Sequence, residues 1–251
     1  MYDAFSKEYD YFVNWTARLN FELPLLRDLL KGRVRVLDAA CGTGMHALAL
    51  SAEGWQVTGC DLSPAMVEQA RSNAAERGLA LPFVAAGFGE LAAALPEQAF
   101  DALLCLGNSL PHVLTDVALA ETLNDFADCL APGGRLVLQS RNFDWVMAQR
   151  KRWLGLQAAR HDAEEEHLFW RFYDFEPDGL IHFHVLTLHR VGEIWREEVR
   201  STLLRPWRQA ELLAALQKAG FVAVTCLGSM DGRPFDAAAS PDLVIVAERK
   251  G

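Results

Sequence analysis

Between Val34 and Arg141, short apolar runs alternate with helical patterns, and few folds produce that rhythm. Parallel strands need a crossover, usually a helix, and a sheet covered on both faces reads as unbroken apolar runs. Four runs predict strands, at Val34–Ala39, Gln56–Cys60, Ala102–Leu106 and Arg135–Ser140, with a weaker one at Pro82–Ala85. Ser63-Pro64 supplies a cap and a first-turn proline for a helix over Ala65–Arg77, ended by Gly78. Asp116 opens another, closed before Pro132-Gly133-Gly134. After Arg141 the rhythm changes. Leu168–Phe175, Leu180–Arg190 and Ile194–Leu204 are aromatic and β-branched runs joined by short turns, as in antiparallel hairpins. A helix at about Arg208–Ala219 and runs at Val222–Leu227 and Leu243–Ala247 return the chain to a sheet. The expectation is one α/β domain: a doubly wound, mostly parallel sheet with an inserted antiparallel β-hairpin region before the last helix. Its parts would be an N-terminal helical lid (1–33), a ligand-binding core (34–141), the insertion (about 165–205) and a C-terminal helix with the last strands (206–251).

A chain of 251 residues, 51% hydrophobic, can bury one large core but not two full-sized domains. The net charge of −9, with Lys and Arg dispersed, leaves no basic stripe for phosphates, so neither nucleic acid nor an anionic membrane is an expected partner. Five cysteines without CxxC spacing read as buried free thiols of a reducing cytoplasm, and no basic or apolar leader pattern opens the chain. A small molecule is the expected partner. Homo-oligomerisation is left open, since hairpins rich in Phe and Trp would bury an interface if exposed.

The first strand ends in Asp38-Ala39-Ala40-Cys41-Gly42-Thr43-Gly44, just before a helical stretch. Glycines there let backbone approach a ligand and leave helix amides pointing at it. Such a string also fits a dinucleotide fingerprint, with Asp61 near the place of a ribose-binding acid. Asp38 separates the two readings, because a carboxylate beside a pyrophosphate repels it, whereas one beside an ammonium group attracts it. Asp61 can accept both ribose hydroxyls, and Leu62 and Met66 offer apolar surface to a base.

On these residues the chain resembles the class I S-adenosylmethionine-dependent methyltransferases over about Val34 to Ser140. The resemblance implies a Rossmann-like fold, S-adenosylmethionine as cofactor with S-adenosylhomocysteine as product, and a cofactor site including Asp38, Ala40, Cys41, Gly42, Gly44, Asp61, Leu62, Met66 and Leu106. It also asks for a cation on the methionine carboxylate, for which Arg18 is the candidate. The family's usual Asp after the third strand is absent: Ala86-Gly87-Phe88 stands there, which suggests backbone contacts at Gly87 and an aromatic face from Phe88.

Gly107-Asn108-Ser109-Leu110-Pro111-His112 and Arg141-Asn142-Phe143-Asp144 resemble the glycine N-methyltransferase branch, over about Tyr9 to Asp144. That likeness implies that Asn108 and Arg141 hold a substrate carboxylate and that Tyr9 lines the transfer site. Read as residues alone, Arg141 could equally pair with Asp144 or another acid, Asn108 could satisfy a turn, and His112 could orient a substrate or pack. Tyr9 belongs to an aromatic stripe, Tyr2, Phe5, Tyr9, Phe12 and Trp15, that suits a core or a lid. His182 and His184 alternate on one strand without further ligands, so a solvated face and no metal are expected. Arg150-Lys151-Arg152 reads as a solvated turn, and Asp162–Glu166 as a solvated face.

The chemistry expected is methyl transfer to a small molecule, foremost N-methylation of an amino-acid-like carboxylate. Alternatives are an amino sugar or hydroxyl acceptor, a methyltransferase-like binding module without catalysis and, more remotely, a NAD-dependent oxidoreductase.

Overall fold

The computed structural model describes residues 9–96, 99–160 and 165–251. Its elements in chain order are α1 (Trp15–Leu29), β1 (Arg35–Ala39), α2 (Met45–Ala52), β2 (Gln56–Asp61), α3 (Pro64–Glu76), β3 (Phe83–Ala85), α4 (Leu91–Ala94), β4 (Phe100–Cys105), α5 (Asp116–Cys129) and β5 (Leu130–Arg141). There follow α6 (Phe143–Gln149), β6 (Gln157–Arg160), β7 (Glu165–Phe175), β8 (Ile181–Val191), β9 (Ile194–Leu204), α7 (Gln209–Lys218), β10 (Phe221–Leu227) and β11 (Asp242–Arg249).

Seven strands form one sheet in the order β10-β11-β5-β4-β1-β2-β3. β1 to β5 pair in parallel, and β11 runs antiparallel between β5 and β10. Alternation along the strands assigns side chains to two cores. Leu37, Leu103, Leu136 and Ile245 pack with α5 and α7 on one face, while Val36, Leu104, Val137 and Val244 pack with α1, α2 and α3 on the other. Both faces are thus covered, which is why the strands read as unbroken apolar runs. Strand order reverses between β1 and β4, and at that reversal a crevice opens beyond the carboxyl ends of the strands.

The inserted strands form a separate antiparallel sheet, β6-β7-β8-β9. It begins earlier than the sequence suggests, because β6 is four residues long and too short to show a period. α6, seven residues capped by Asn142 (Trp145 N to Oδ1, 3.2 Å), escaped the reading for the same reason. Two contacts bind the end of the inserted sheet to the turn after β4: Arg205 N donates to Pro111 O at 2.8 Å and Trp207 Nε1 to Val113 O at 2.8 Å. Ser63 caps α3 as expected, its hydroxyl accepting from Met66 N at 3.2 Å.

Arg150, Lys151 and Arg152 are exposed, as expected of a solvated turn, and each cation lies over an aromatic ring, of Phe175, Trp145 and Trp153 respectively, at 4.6–4.8 Å. His184 departs from a solvated face, stacked on Phe172 at 4.6 Å with Nδ1 2.6 Å from Ser201 Oγ. Tyr2, Phe5 and residues 162–164 lie outside the described residues. Among the described residues no helix is long and apolar enough to cross a membrane.

Candidate active site

Two cavities adjoin at the carboxyl ends of the parallel strands. The larger, of about 560 Å³, is lined by Ala40, Gly42, Asp61, Leu62, Met66, Gly87 and Phe88 among others, and the smaller, of about 300 Å³, by Arg18, Asn108, Arg141 and residues of the inserted sheet. Tyr9, Gly107 and His112 line both. The junction is therefore built from the N-terminal helical residues, the end of β4 and the turn that follows it.

Local hydrogen bonds shape the larger crevice. Asp61, at the end of β2, accepts from Gly42 N at 2.8 Å and Ser63 N at 2.9 Å, so one carboxylate fixes the turn after β1 and the start of α3. Leu62 is 76% exposed at the rim, against Gly87, while Met66 is buried beneath it and Phe88 meets Phe126 edge-on at 5.3 Å. Gly42 and Gly44 both need a left-handed backbone, φ 55° and 80°. They face opposite ways: a Cβ on Gly42 would find only Tyr9, at 3.8 Å, whereas one on Gly44 would stand 2.9 Å from Phe83 and 3.0 Å from Ala70.

The side chains of Cys41 and Leu106 belong to the core beneath the crevice, and Gly44 caps α2 with its Cβ direction towards Phe83. Asp38 also lies beneath the floor, buried, with Oδ2 lacking any hydrogen-bond partner among the described residues. Burial pushes its carboxyl up to about 6, partly opposed by the nearby His46 and Arg18.

Asp10 holds the N-terminal residues over this floor, accepting from Thr43 Oγ1 at 2.6 Å, Trp15 Nε1 at 2.8 Å and Asn73 Nδ2 at 3.1 Å. Tyr9 is thereby set above Gly42, and burial raises its phenol pKa although Arg18 hydrogen-bonds the hydroxyl. Below it runs a chain of charges that the sequence reading missed. Arg18 Nε meets Glu22 at 3.1 Å, and Glu22 meets His46 Nε2 at 2.6 Å. Burial works against the Glu22 carboxylate, but His46 and Arg18 outweigh it and hold its pKa below the usual value. The far end of Arg18 points at Gly107, with Nη2 3.5 Å from where a Cβ would be. Apolar neighbours at i, i+3 and i+4 hide such a buried Glu in sequence, and only its place on the inward stripe of α1 hints at it.

At the smaller cavity, Asn108 takes a left-handed conformation (φ 66°), which Asn tolerates, and its Oδ1 accepts from Arg141 N at 2.9 Å. Gln139 braces the same turn through Gly107 N at 2.8 Å and reaches Asp242 Oδ2 at 3.3 Å. Asp242 also takes Arg141 Nη1 at 3.0 Å. The acid beside Arg141 is thus Asp242 and not Asp144, which accepts from Gln209 N. Antiparallel β11 puts its first residue level with the last of β5, a pairing no local sequence pattern discloses. His112 is half-buried where the cavities meet, and burial pushes its imidazole down to about 4.

The family description "Methyltransferase domain" matches residues 36–134. A glycine/sarcosine N-methyltransferase of Parasynechococcus marenigrum (strain WH8102) is 32% identical over 205 residues, 77% of this chain and 72% of that protein. Another glycine/sarcosine N-methyltransferase, of Aphanothece halophytica, is 35% identical over 147 residues, 58% of this chain; the chain spans 55% of it, about half its length. In fold it is similar to a solved S-adenosylmethionine-bound amino pentose methyltransferase of Micromonospora echinaspora, with a TM-score of 0.75 and 22% identity over 98% of this chain and 97% of that one. A crevice at the switch point of a doubly wound sheet, a buried acid under its glycine turn and these likenesses agree: the chain belongs to the S-adenosylmethionine-dependent methyltransferases.

Proposed function

We propose that this protein transfers the methyl group of S-adenosylmethionine to the amine nitrogen of a small amino-acid-like carboxylate. The observation that carries the reading is the junction: a charged cavity with Asn108 and Arg141 meets the glycine-turn crevice at Tyr9, Gly107 and His112. The residues present fit the cofactor. An unpartnered carboxylate oxygen on Asp38 suits the electrostatics of an ammonium group, Asp61 places a carboxylate on the crevice wall where ribose hydroxyls would lie, and Leu62, Met66, Gly87 and Phe88 form an apolar slot for adenine. Arg18, held by Glu22 at Nε, keeps its terminal nitrogens towards Gly107 for the methionine carboxylate. Relatives named glycine/sarcosine N-methyltransferase support the choice of acceptor.

When bound, the cofactor would supply an electrophilic methyl carbon on a sulfonium, whose C–S bond would break in line as the amine nitrogen bonds to that carbon, with the neutral thioether S-adenosylhomocysteine leaving. The chain's own residues then have to align and desolvate. Tyr9 closes the junction from the N-terminal side. His112, neutral at physiological pH, brings no competing charge to the junction. Asn108 and Arg141 hold the acceptor from the opposite wall. We further place residues 9–33 as a lid within a single domain, and the protein in the cytoplasm on its five unpaired cysteines. The net charge of −9 argues against a nucleic-acid partner.

Labelled S-adenosylmethionine offered with glycine, sarcosine, other amino acids, amino sugars and phenols tests the reading. Label on an amino-acid nitrogen is expected; label only on a sugar or phenol, or none anywhere with the cofactor bound, overturns it. Arg141→Leu is expected to raise KM for the carboxylate acceptor and leave S-adenosylhomocysteine affinity unchanged, and equal loss of both would mark a structural arginine.

A further inference from the structure

The smaller cavity is lined by three guanidinium groups, of Arg18, Arg141 and Arg171, and two carboxylates, of Glu22 and Asp242. Their pairing is unequal. Arg18 has Glu22 at 3.1 Å and Arg141 has Asp242 at 3.0 Å. Arg171 has no acid partner among the described residues: its guanidinium lies over the ring of Phe12, 5.3 Å from the centroid, and its Nε is buried without any acceptor. Alternation on β7 explains the position, since Phe169 and Tyr173, two residues to either side, are fully buried on the inward face. An arginine between two core aromatics is costly to bury unless something negative meets it. Burial and the charge of Arg141 push its pKa downward, yet an arginine still stays protonated at neutral pH. On the neighbouring β6, Gln157 lines the same cavity with a buried Oε1 that also lacks a partner. A donor and an acceptor both left without a protein partner at one cavity wall are placed to meet a polar ligand.

We propose that Arg171, presented by the inserted sheet, is the principal anion anchor of this cavity and takes the carboxylate of a monoanionic small acceptor. This rests on the reading of the cavity as the acceptor site. Arg18 and Arg141 each have an acid beside them, so the charge left to be matched is that of Arg171, and a single carboxylate meets it where a cation does not. Arg141, neutralised by Asp242, guides the same carboxylate at its edge. The core sheet then holds the methyl donor, and the insertion selects the acceptor.

The test is titration of acetate, glycine and methylamine into the full chain saturated with S-adenosylhomocysteine. The wild-type protein is expected to bind acetate and glycine and to ignore methylamine. Arg171→Leu should weaken acetate by about 100-fold, the loss of a charge-assisted pair, with S-adenosylhomocysteine affinity unchanged. Arg141→Leu should weaken it by less than about 10-fold. Arg171→Gln, similar in reach, gives the same readout should the Leu variant not fold. Acetate binding unaltered in a folded Arg171 variant, or no acetate binding by the wild-type protein, overturns the proposal. Acetate held through Arg171 without methyl transfer to any amino acid removes the proposed function and leaves the anchor. Transfer to glycine at wild-type KM by Arg171→Leu removes the anchor and leaves the function.

Discussion

The two cavities share Tyr9, Gly107 and His112, yet they treat charge in opposite ways. The larger crevice has an apolar slot at its rim and one unpartnered acid oxygen, of Asp38, under its floor. The smaller is crowded with ion pairs: Arg18 with Glu22, Arg141 with Asp242. Chain topology accounts for the difference. The floor and glycine side of the larger crevice are strand ends with the few residues after them, closed by α5 and by Thr202 of β9, so backbone turns do much of the shaping. The smaller cavity gathers side chains from α1, β5, β7 and β11, and long side chains from distant elements need partners to stay in place. One site is organised by backbone, the other by pairing.

The contrast is most exposed at Asp38. Its folded pKa of about 6 stands above the ordinary 3.8, so the folded state binds more protons between those values. Stability of the ligand-free protein should therefore fall as pH rises through that window and stay lower above it, by about 3 kcal/mol for a shift of this size. Asp38→Asn is expected to flatten that profile and raise the ligand-free Tm at pH 7, while weakening S-adenosylhomocysteine by about 100-fold. An Asn variant with lower Tm and unchanged affinity would mean that Asp38 is structural, and the contrast would collapse.

Next in size come the two glycines. Gly44→Ala should cost about 3 kcal/mol, from left-handed strain plus overlap with Phe83 and Ala70. Gly42→Ala carries the strain alone, about 1 kcal/mol, but places its methyl at the crevice wall under Tyr9. Denaturant unfolding and cofactor titration should therefore rank the pair in opposite orders. The same rank in both would show that one glycine does not serve packing and the other access.

The smallest effect belongs to Leu62. Being 76% exposed, it adds little to the core, so Leu62→Ala should shift stability by less than about 0.5 kcal/mol and weaken S-adenosylhomocysteine about fivefold. A large stability loss instead would place Leu62 in the packing of Gly87 and not in an adenine slot.

Legibility followed the same divide. The turn from Asp38 to Gly44, the acid Asp61 and the cap Ser63 stand close together in sequence, and their spacing pointed to the glycine side of the larger crevice, while its far wall on α5 and β9 left no local signal. The smaller cavity was half visible. Asn108 and Arg141 were found through resemblance, whereas Asp242 was missed because its partner Arg141 lies 101 residues away, and Glu22, only four residues from Arg18, because its apolar neighbours hide it. Arg171 left a signal that could not be used. Along β7, Phe169, Arg171 and Tyr173 alternate with Leu168, Trp170 and Phe172, and both sets are apolar enough to face a core. Period two shows that Arg171 shares a face with Phe169 and Tyr173 but not which face is buried.

What the sequence determined by itself is the doubly wound sheet, the inserted hairpins and the cofactor turn, because strand alternation, caps and glycine spacing are local properties of a chain. Which cations are already neutralised and which is left to meet a ligand was decided only by the tertiary structure. Charge pairing acts over a few ångströms in space and is indifferent to separation along the chain.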